Sequence, residues 1–121
     1  MSFRPVADVS EVAADRPLAV DIPATDPGQD DLRVAVVLHQ GEYFAIEDEC
    51  SHGAVPLSDG DVVNGTVECY LHGSVFDLRT GRALNLPATE PVRVFPCRVD
   101  GTSIAVDIEN PITAQTANQE S

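Results

Sequence analysis

The chain has 121 residues, of which 43% are apolar and 5% aromatic, and its formal net charge is −13. This length is typical of a single domain, and with so few aromatic residues the core must consist mainly of aliphatic side chains. The negative charge argues against binding to nucleic acid or to anionic membranes, because both attract clustered lysine and arginine.

Short apolar or alternating segments, separated by Gly, Pro, Asn and Asp, follow one another along the chain, a pattern typical of strands. In chain order, strands are predicted at residues 4–7, 18–22, 34–38, 43–46, 62–63, 66–69, 92–95 and 104–107. Ser10 is the expected N-cap of one helical turn over residues 10–15. Turns at residues 39–42, at Asn64-Gly65 and at Asp100-Gly101 would join neighbouring strands into hairpins. The pattern predicts an all-β fold, a small antiparallel sandwich or barrel.

Two short motifs, each with one cysteine and one histidine, follow two of these strands. They are Cys50-Ser51-His52 and Cys69-Tyr70-Leu71-His72, and a glycine follows each. Two neighbouring loops at one end of a sheet would bring the four side chains together. Two thiolates and two imidazoles suit a [2Fe–2S] cluster in which cysteines bind one iron and histidines the other.

A zinc site is the alternative use of the same four side chains. Zinc fingers usually group cysteine with cysteine and histidine with histidine, whereas each motif here contains one of each. A zinc-stabilised binding module without redox activity is therefore the alternative from another functional class. Outside the motifs, Cys97 is expected to be a free buried thiol, and His39 a solvated surface residue beside a turn.

With these motifs, residues 6–108 resemble Rieske-type [2Fe–2S] ferredoxins, especially those of bacterial aromatic-ring-hydroxylating dioxygenases. Residues 47–60 and 68–81 are similar to the two cluster loops of that family. The resemblance implies that one [2Fe–2S] cluster is bound by Cys50, His52, Cys69 and His72.

The resemblance also implies the domain organisation. A Rieske-type antiparallel sandwich or barrel would occupy residues 1–108, with a cluster-binding subdomain of two loops at about residues 47–88. Leu-Pro-Ala at residues 86–88 resembles the proline loop that covers the cluster. A polar C-terminal tail would follow at residues 109–121.

This chain differs from the high-potential Rieske proteins of respiratory complexes at positions that surround the cluster. Their loops carry two further cysteines that form a disulfide, and these positions are Val55 and Leu71 here. A tyrosine that donates to a ligand sulfur is replaced by Phe76, while a serine is retained as Ser74. With fewer donors and many carboxylates nearby, we expect a reduction potential at the low end of the Rieske range, roughly −150 mV.

The rest of the chain offers no second redox or catalytic centre. It has no Gly-x-Gly-x-x-Gly element for a flavin or nicotinamide fold. His39 is the histidine left over once the cluster is ligated, too few for the mononuclear iron of an oxygenase. By resemblance the chain is an electron carrier, not an enzyme, and it connects a flavin-dependent reductase with a terminal ring-hydroxylating oxygenase. A small Rieske-like subunit of assimilatory nitrite reductase is the alternative within this class.

Localisation and possible partner contacts can also be predicted from the sequence. No segment approaches the roughly 18 apolar residues of a membrane span, and the first residues lack the apolar core of a signal peptide, so we expect a cytoplasmic protein. We also expect it to be a monomer. Residues 47–49 are candidates for docking or for tuning the potential, whereas Asp59 and Asp61 are interpreted as loop residues. Asp77 and Arg79 are expected to pair within a turn.

Overall fold

The computed structural model describes residues 3–23, 31–48, 56–69, 73–84, 92–109 and 111. Within these ranges the strands are β1 (Arg4–Asp8), β2 (Leu18–Ile22), β3 (Leu32–His39), β4 (Glu42–Glu47), β5 (Asp61–Val63), β6 (Thr66–Glu68), β7 (Val75–Asp77), β8 (Val94–Phe95), β9 (Cys97–Asp100) and β10 (Ser103–Val106). Two short 3₁₀ helices are Val9–Glu11 and Leu57–Asp59. No helix in the described ranges is long and apolar enough to cross a membrane. Most of the predicted tail lies outside these ranges.

The strands form three sheets. The terminal sheet has the order β1-β10-β9, the central sheet β2-β3-β4-β8, and the β5–β7 sheet β5-β6-β7. Neighbouring strands in all three sheets run antiparallel. The all-β antiparallel fold expected from the sequence is therefore confirmed.

Strands β3 and β4 of the central sheet are buried on both faces. The core on one face, toward the terminal sheet, contains Val34, Val36, Ala45, Phe95, Ile104 and Val106. The core on the other face, toward the β5–β7 sheet, contains Ala35, Val37, Phe44, Ile46, Val67 and Phe76. Because successive side chains of a strand point to opposite faces, the unbroken apolar run of β3 supplies both cores. The result is three layers with the central sheet in the middle.

Two of the predicted hairpins are confirmed, and their turns explain why. Gln40 and Gly41 join β3 to β4 with φ angles of 52° and 79°, and Asn64 and Gly65 join β5 to β6 with 52° and 78°. Two consecutive residues with positive φ form the type I′ turn, whose twist matches that of the strands. Glycine and asparagine adopt this conformation with little strain.

The third predicted hairpin is partly wrong. Asp100 and Ser103 do pair across a turn, but the strands that meet there are β9 and β10. Residues 92–95 were predicted to form one arm, whereas β8 instead pairs with β4 in the central sheet, with Phe95 opposite Ala45. Pro96 has no N–H to donate to a ladder, so the chain leaves one sheet there and enters the other.

The first helical turn is shorter than predicted and begins earlier. Its N-cap is Asp8, not Ser10, and the helix covers Val9–Glu11. The Asp8 carboxylate accepts from the Ser10 hydroxyl and backbone N–H, and Glu11 accepts from the Asp8 N–H at 2.8 Å. The Ser10 hydroxyl, then its N–H, lowers the pKa of Asp8. This reciprocal pair is a capping box, which the spacing of Asp8 and Glu11 could have indicated.

We expect Ile104→Val to lower the free energy of unfolding by about 1 kcal/mol, because it removes one methylene from a fully buried position. Urea denaturation of the intact protein measures this. Ile104 belongs to the core on the terminal-sheet face, so the iron content should not change. An unchanged urea midpoint would contradict the packing described for this core.

Candidate metal centre

Of the four predicted ligands, Cys69 lies within the described residues, whereas Cys50, His52 and His72 lie outside them. Also outside are Glu49, Val55, Leu71 and residues 86–88. What the structure describes is Cys69 itself and the residues at which both loops begin and end.

Cys69 directly follows β6 and is 1% exposed. It belongs to the core between the central sheet and the β5–β7 sheet, and it forms no disulfide. A free thiol in apolar surroundings at the end of a short strand suits an iron ligand that is shielded from water. The donor chemistry at this position therefore fits an iron–sulfur cluster.

The second loop, residues 69–74, is closed at its base by two backbone hydrogen bonds. Cys69 N–H donates to the Ser74 carbonyl at 2.6 Å, and Gly73 N–H donates to the Cys69 carbonyl at 2.9 Å. Gly73 has φ of 74°, a conformation in which glycine avoids a steric penalty. The segment that contains His72 therefore begins and ends at a fixed pair of residues.

The first loop, residues 48–58, is closed by a side chain. The buried Asp48 carboxylate accepts from the Ser58 N–H at 2.6 Å and from the Ser58 hydroxyl at 2.8 Å. It also accepts from Arg33 Nε at 2.9 Å, while Asp48 N–H donates to the Arg33 carbonyl. Asp48 thus connects β3 to both ends of the segment that contains Cys50 and His52.

A close backbone contact at Gly60 brings the two loops together. A Cβ atom on Gly60 would overlap the Glu68 carbonyl oxygen and lie 2.9 Å from the Glu68 carbonyl carbon. Gly60 follows the first loop, and Glu68 immediately precedes Cys69. The end of one loop therefore rests on the backbone that leads into the other.

Glu47 and Asp48, which precede the first motif and lie within the described residues, bind partners inside the protein. Glu47 pairs with Arg93 at 3.0 Å, and the Asp48 side chain has no exposed surface. A docking role for Asp48 is therefore wrong, because a partner could not reach its carboxylate. Asp59 ends the second 3₁₀ helix and Asp61 begins β5, so neither is a plain loop residue.

Arg79 pairs with Asp77 within the turn through its backbone N–H, as expected, while its guanidinium binds Glu42. Its guanidinium donates to both Glu42 oxygens, at 2.9 and 2.6 Å, and lies 5.2 Å from the centroid of the Phe44 ring. Asp77 instead accepts from the backbone N–H groups of Arg79 and Thr80. The hydrogen bond from Arg79 lowers the pKa of Glu42. This pair connects the central sheet to the turn after β7.

Cys97 lies on β9 and packs against the core on the terminal-sheet face. Cys69 belongs to the core on the opposite face of the central sheet. Burial raises the pKa of the Cys97 thiol to about 11, so it stays protonated at neutral pH. Cys97 is a free thiol, as expected, but it is partly exposed rather than buried.

His39 is not the solvated residue that was expected. Its side chain is 12% exposed, and Nδ1 lies 2.6 Å from Asp15 Oδ1. Asp15 has φ of 59°, and its N–H donates to the Leu38 carbonyl at 2.7 Å. The histidine therefore fixes the segment before β2 to the end of β3.

The sequence profile of the Rieske [2Fe–2S] domain family matches residues 2–96, a span that includes both Cys–His motifs. The chain belongs to the Rieske [2Fe–2S] domain family. As a member it contains one [2Fe–2S] cluster, which argues against the zinc alternative.

Several relatives of this Rieske protein are ferredoxins. It is 43% identical over 105 residues to the 3-phenylpropionate/cinnamic acid dioxygenase ferredoxin subunit of Shigella boydii serotype 4 (strain Sb227), covering 86% of this chain and 89% of that protein. The carbazole 1,9a-dioxygenase ferredoxin of Nocardioides aromaticivorans IC177 matches with a TM-score of 0.74 and 32% identity, covering 88% and 97% of the two chains. A chain from a complex of reduced oxygenase and oxidized ferredoxin in carbazole 1,9a-dioxygenase matches with a TM-score of 0.72 and 27% identity, covering 86% and 91%. The protein is thus an electron-transfer component rather than a catalyst.

Sequence reasoning missed the residues that close and seat the first loop. Asp48 was considered for docking or for tuning the potential, whereas its carboxylate binds Ser58 across the loop. A polar residue just before a ligand motif and a serine just after it are the signal that could have indicated this pair. No sequence pattern indicates that Gly60 must contact the backbone at Glu68.

We expect Gly60→Ala to destabilise the protein by about 1–3 kcal/mol and to lower its content of iron and sulfide, because the added methyl overlaps the Glu68 carbonyl. The φ of Gly60 is −90°, which alanine adopts freely, so any loss comes from the overlap. Iron and sulfide assays on the purified variant measure the effect.

The control is Gly101→Ala. Gly101 has φ of 64° but no atom within 4 Å of an added Cβ, and it lies in the turn between β9 and β10. This variant strains the backbone away from the loops and should keep its iron. Equal iron contents in the two variants would show that the Gly60 contact is not needed to bring the loops together.

Proposed function

We propose that this chain transfers one electron at a time from a flavin-dependent reductase to the terminal oxygenase of an aromatic-ring-hydroxylating system. The observation that carries the proposal is the family match across both Cys–His motifs. The names of two relatives described above support it, since both are ferredoxin components of dioxygenases. One structural relative comes from a complex of an oxygenase with its ferredoxin.

The proposed ligands are Cys50 and Cys69 for one iron and His52 and His72 for the other. When bound, the cluster supplies reversible one-electron chemistry. The task of the chain is to hold the ligands rigidly. Hydrogen bonds at the base of each loop, and the contact of Gly60 with β6, support this role because they restrain where both ligand segments begin and end.

The proposed partners present basic surfaces. The chain has twenty acidic and seven basic residues. Four of its arginines already pair with carboxylates of the same chain: Arg33, Arg79, Arg93 and Arg98. The surplus negative charge would attract a basic partner over long distances and allow rapid release. We further propose that the protein works in the cytoplasm as a monomer.

The ligand set is tested by paired cysteine variants. Cys69→Ser should lose most of its iron because a weak alcohol ligand replaces a thiolate. Cys97→Ser removes the thiol on the opposite face of the central sheet and should keep full iron content and an unchanged EPR spectrum after dithionite.

His72→Cys extends the same test to the histidine-ligated iron. It should retain some iron but lose the lowered average g value of a histidine-ligated [2Fe–2S] cluster. An unchanged reduced-state spectrum in this variant would refute the ligand assignment.

Charge-guided encounter is tested by stopped-flow electron transfer to two acceptors. Raising the salt concentration from about 20 to about 500 mM should slow reduction of cytochrome c, a basic protein, by roughly tenfold or more, because salt screens exposed charges. Ferricyanide, an anion, is the control and should be reduced faster at high salt. The same salt response for both acceptors would rule out the proposed attraction.

A further inference from the structure

The carboxylate of Asp48 is fully buried, and both of its oxygens are hydrogen-bonded. Oδ1 accepts from the Ser58 N–H at 2.6 Å, and Oδ2 accepts from the Ser58 hydroxyl at 2.8 Å. Oδ2 also pairs with Arg33 Nε at 2.9 Å, although the arginine side chain itself is 53% exposed. Bonds of this length to an ionised carboxylate are among the stronger hydrogen bonds in proteins.

The position of Ser58 explains why a distant carboxylate binds there. Ser58 is the second residue of the 3₁₀ helix Leu57–Asp59, whose N-cap is Pro56, and Pro56 makes no side-chain capping bond. An N–H at the start of a helix needs an acceptor. Asp48 provides it from across the first loop, so the carboxylate acts as a cap that is remote in sequence.

Both ends of the first loop are held to other parts of the fold. At its start, Asp48 N–H donates to the Arg33 carbonyl of β3 at 2.9 Å. At its end, Leu57 is fully buried in the core beside the β5–β7 sheet, and Gly60 contacts the backbone of Glu68. The Asp48–Ser58 bonds join these two anchored ends.

A buried charge lowers the stability of a protein unless it is paired and hydrogen-bonded. Even a paired buried charge can often be replaced by apolar side chains of similar volume without loss of stability. A carboxylate bonded to three donors instead fixes one geometry. Cys50 follows Asp48 by two residues, and His52 lies between Asp48 and Ser58 in the chain. The Asp48 bonds therefore restrain the segment that contains two of the proposed ligands.

We propose that Asp48 is a positioning residue for the [2Fe–2S] cluster, which sets the separation of the two ends of the first loop and so the approach of Cys50 and His52 to the irons. The inference rests on the proposed ligand set. Ser58 is its partner, and Arg33 compensates its charge from the solvent side.

The first test compares Asp48→Asn with the wild-type protein, both loaded with the cluster. An NH₂ group in place of Oδ1 leaves the Ser58 N–H without its acceptor, and one in place of Oδ2 leaves Arg33 Nε without its acceptor, so the substitution removes the charge and at least one of the Asp48 hydrogen bonds. We expect iron release to a chelator to become about tenfold faster, the effect of losing one hydrogen bond to a charged group. The reduced-state EPR lines should broaden because the ligands occupy several geometries.

The stability control is Ile104→Val, which removes a buried methylene on the far side of the central sheet. Its urea midpoint should fall while its iron release and EPR spectrum stay those of the wild type. If the iron-release rate rises in proportion to the loss of stability, and by the same proportion in both variants, Asp48 contributes only to overall stability. That result would overturn the proposal. Wild-type iron release and EPR lines in Asp48→Asn would overturn it as well.

Ser58 variants keep the Asp48 charge and decide the question if Asp48→Asn does not fold. Ser58→Ala loses the hydroxyl donor and should release iron severalfold faster, whereas Ser58→Thr retains a hydroxyl and should behave like the wild type. Equal release from these two would overturn the proposal. Failure of the ligand set is read separately, from the His72→Cys spectrum, so the two failures are distinguishable.

Discussion

Burial of β3 and β4 on both faces is the constraint on which the rest of the structure depends. One face of these strands packs against the terminal sheet and the other against the β5–β7 sheet, so two separate cores share one pair of strands. Apolar area of this kind supplies most of the driving force of folding. Because Cys69 lies in one core and Cys97 packs against the other, the central sheet separates these two thiols.

Carboxylates on and just after β4 bind residues in other parts of the fold. Glu42 binds Arg79 in the turn after β7, and Glu47 binds Arg93 just before β8. Exposed ion pairs of this kind contribute little stability individually. Asp48 differs because its carboxylate is buried and bonds to three donors. Part of the acidity of the chain thus serves architecture, not solubility alone.

Local patterns predicted local structure well. The Asn64-Gly65 turn was predictable because its residues favour positive φ. Strand β3 was predictable because its two buried faces require an unbroken run of apolar residues. The Cys–His motifs indicated the family because few cofactors take that ligand set. Contacts between segments that are separated in the sequence were not predictable. They include the pairing of Phe95 with β4, the choice of Glu42 by Arg79 and the contact beneath Gly60.

The layered arrangement places the terminal sheet and the β5–β7 sheet on opposite sides of the molecule, so one can be attached to a surface while the other faces away from it. The terminal sheet presents the side chains of Arg98 and Asp100, which pair with each other on the edge strand β9. Its other face packs on the central sheet, beyond which lies the β5–β7 sheet with Cys69. A molecule tethered to an electrode through β9 would turn the β5–β7 sheet toward solution and leave that end free for encounter with redox proteins.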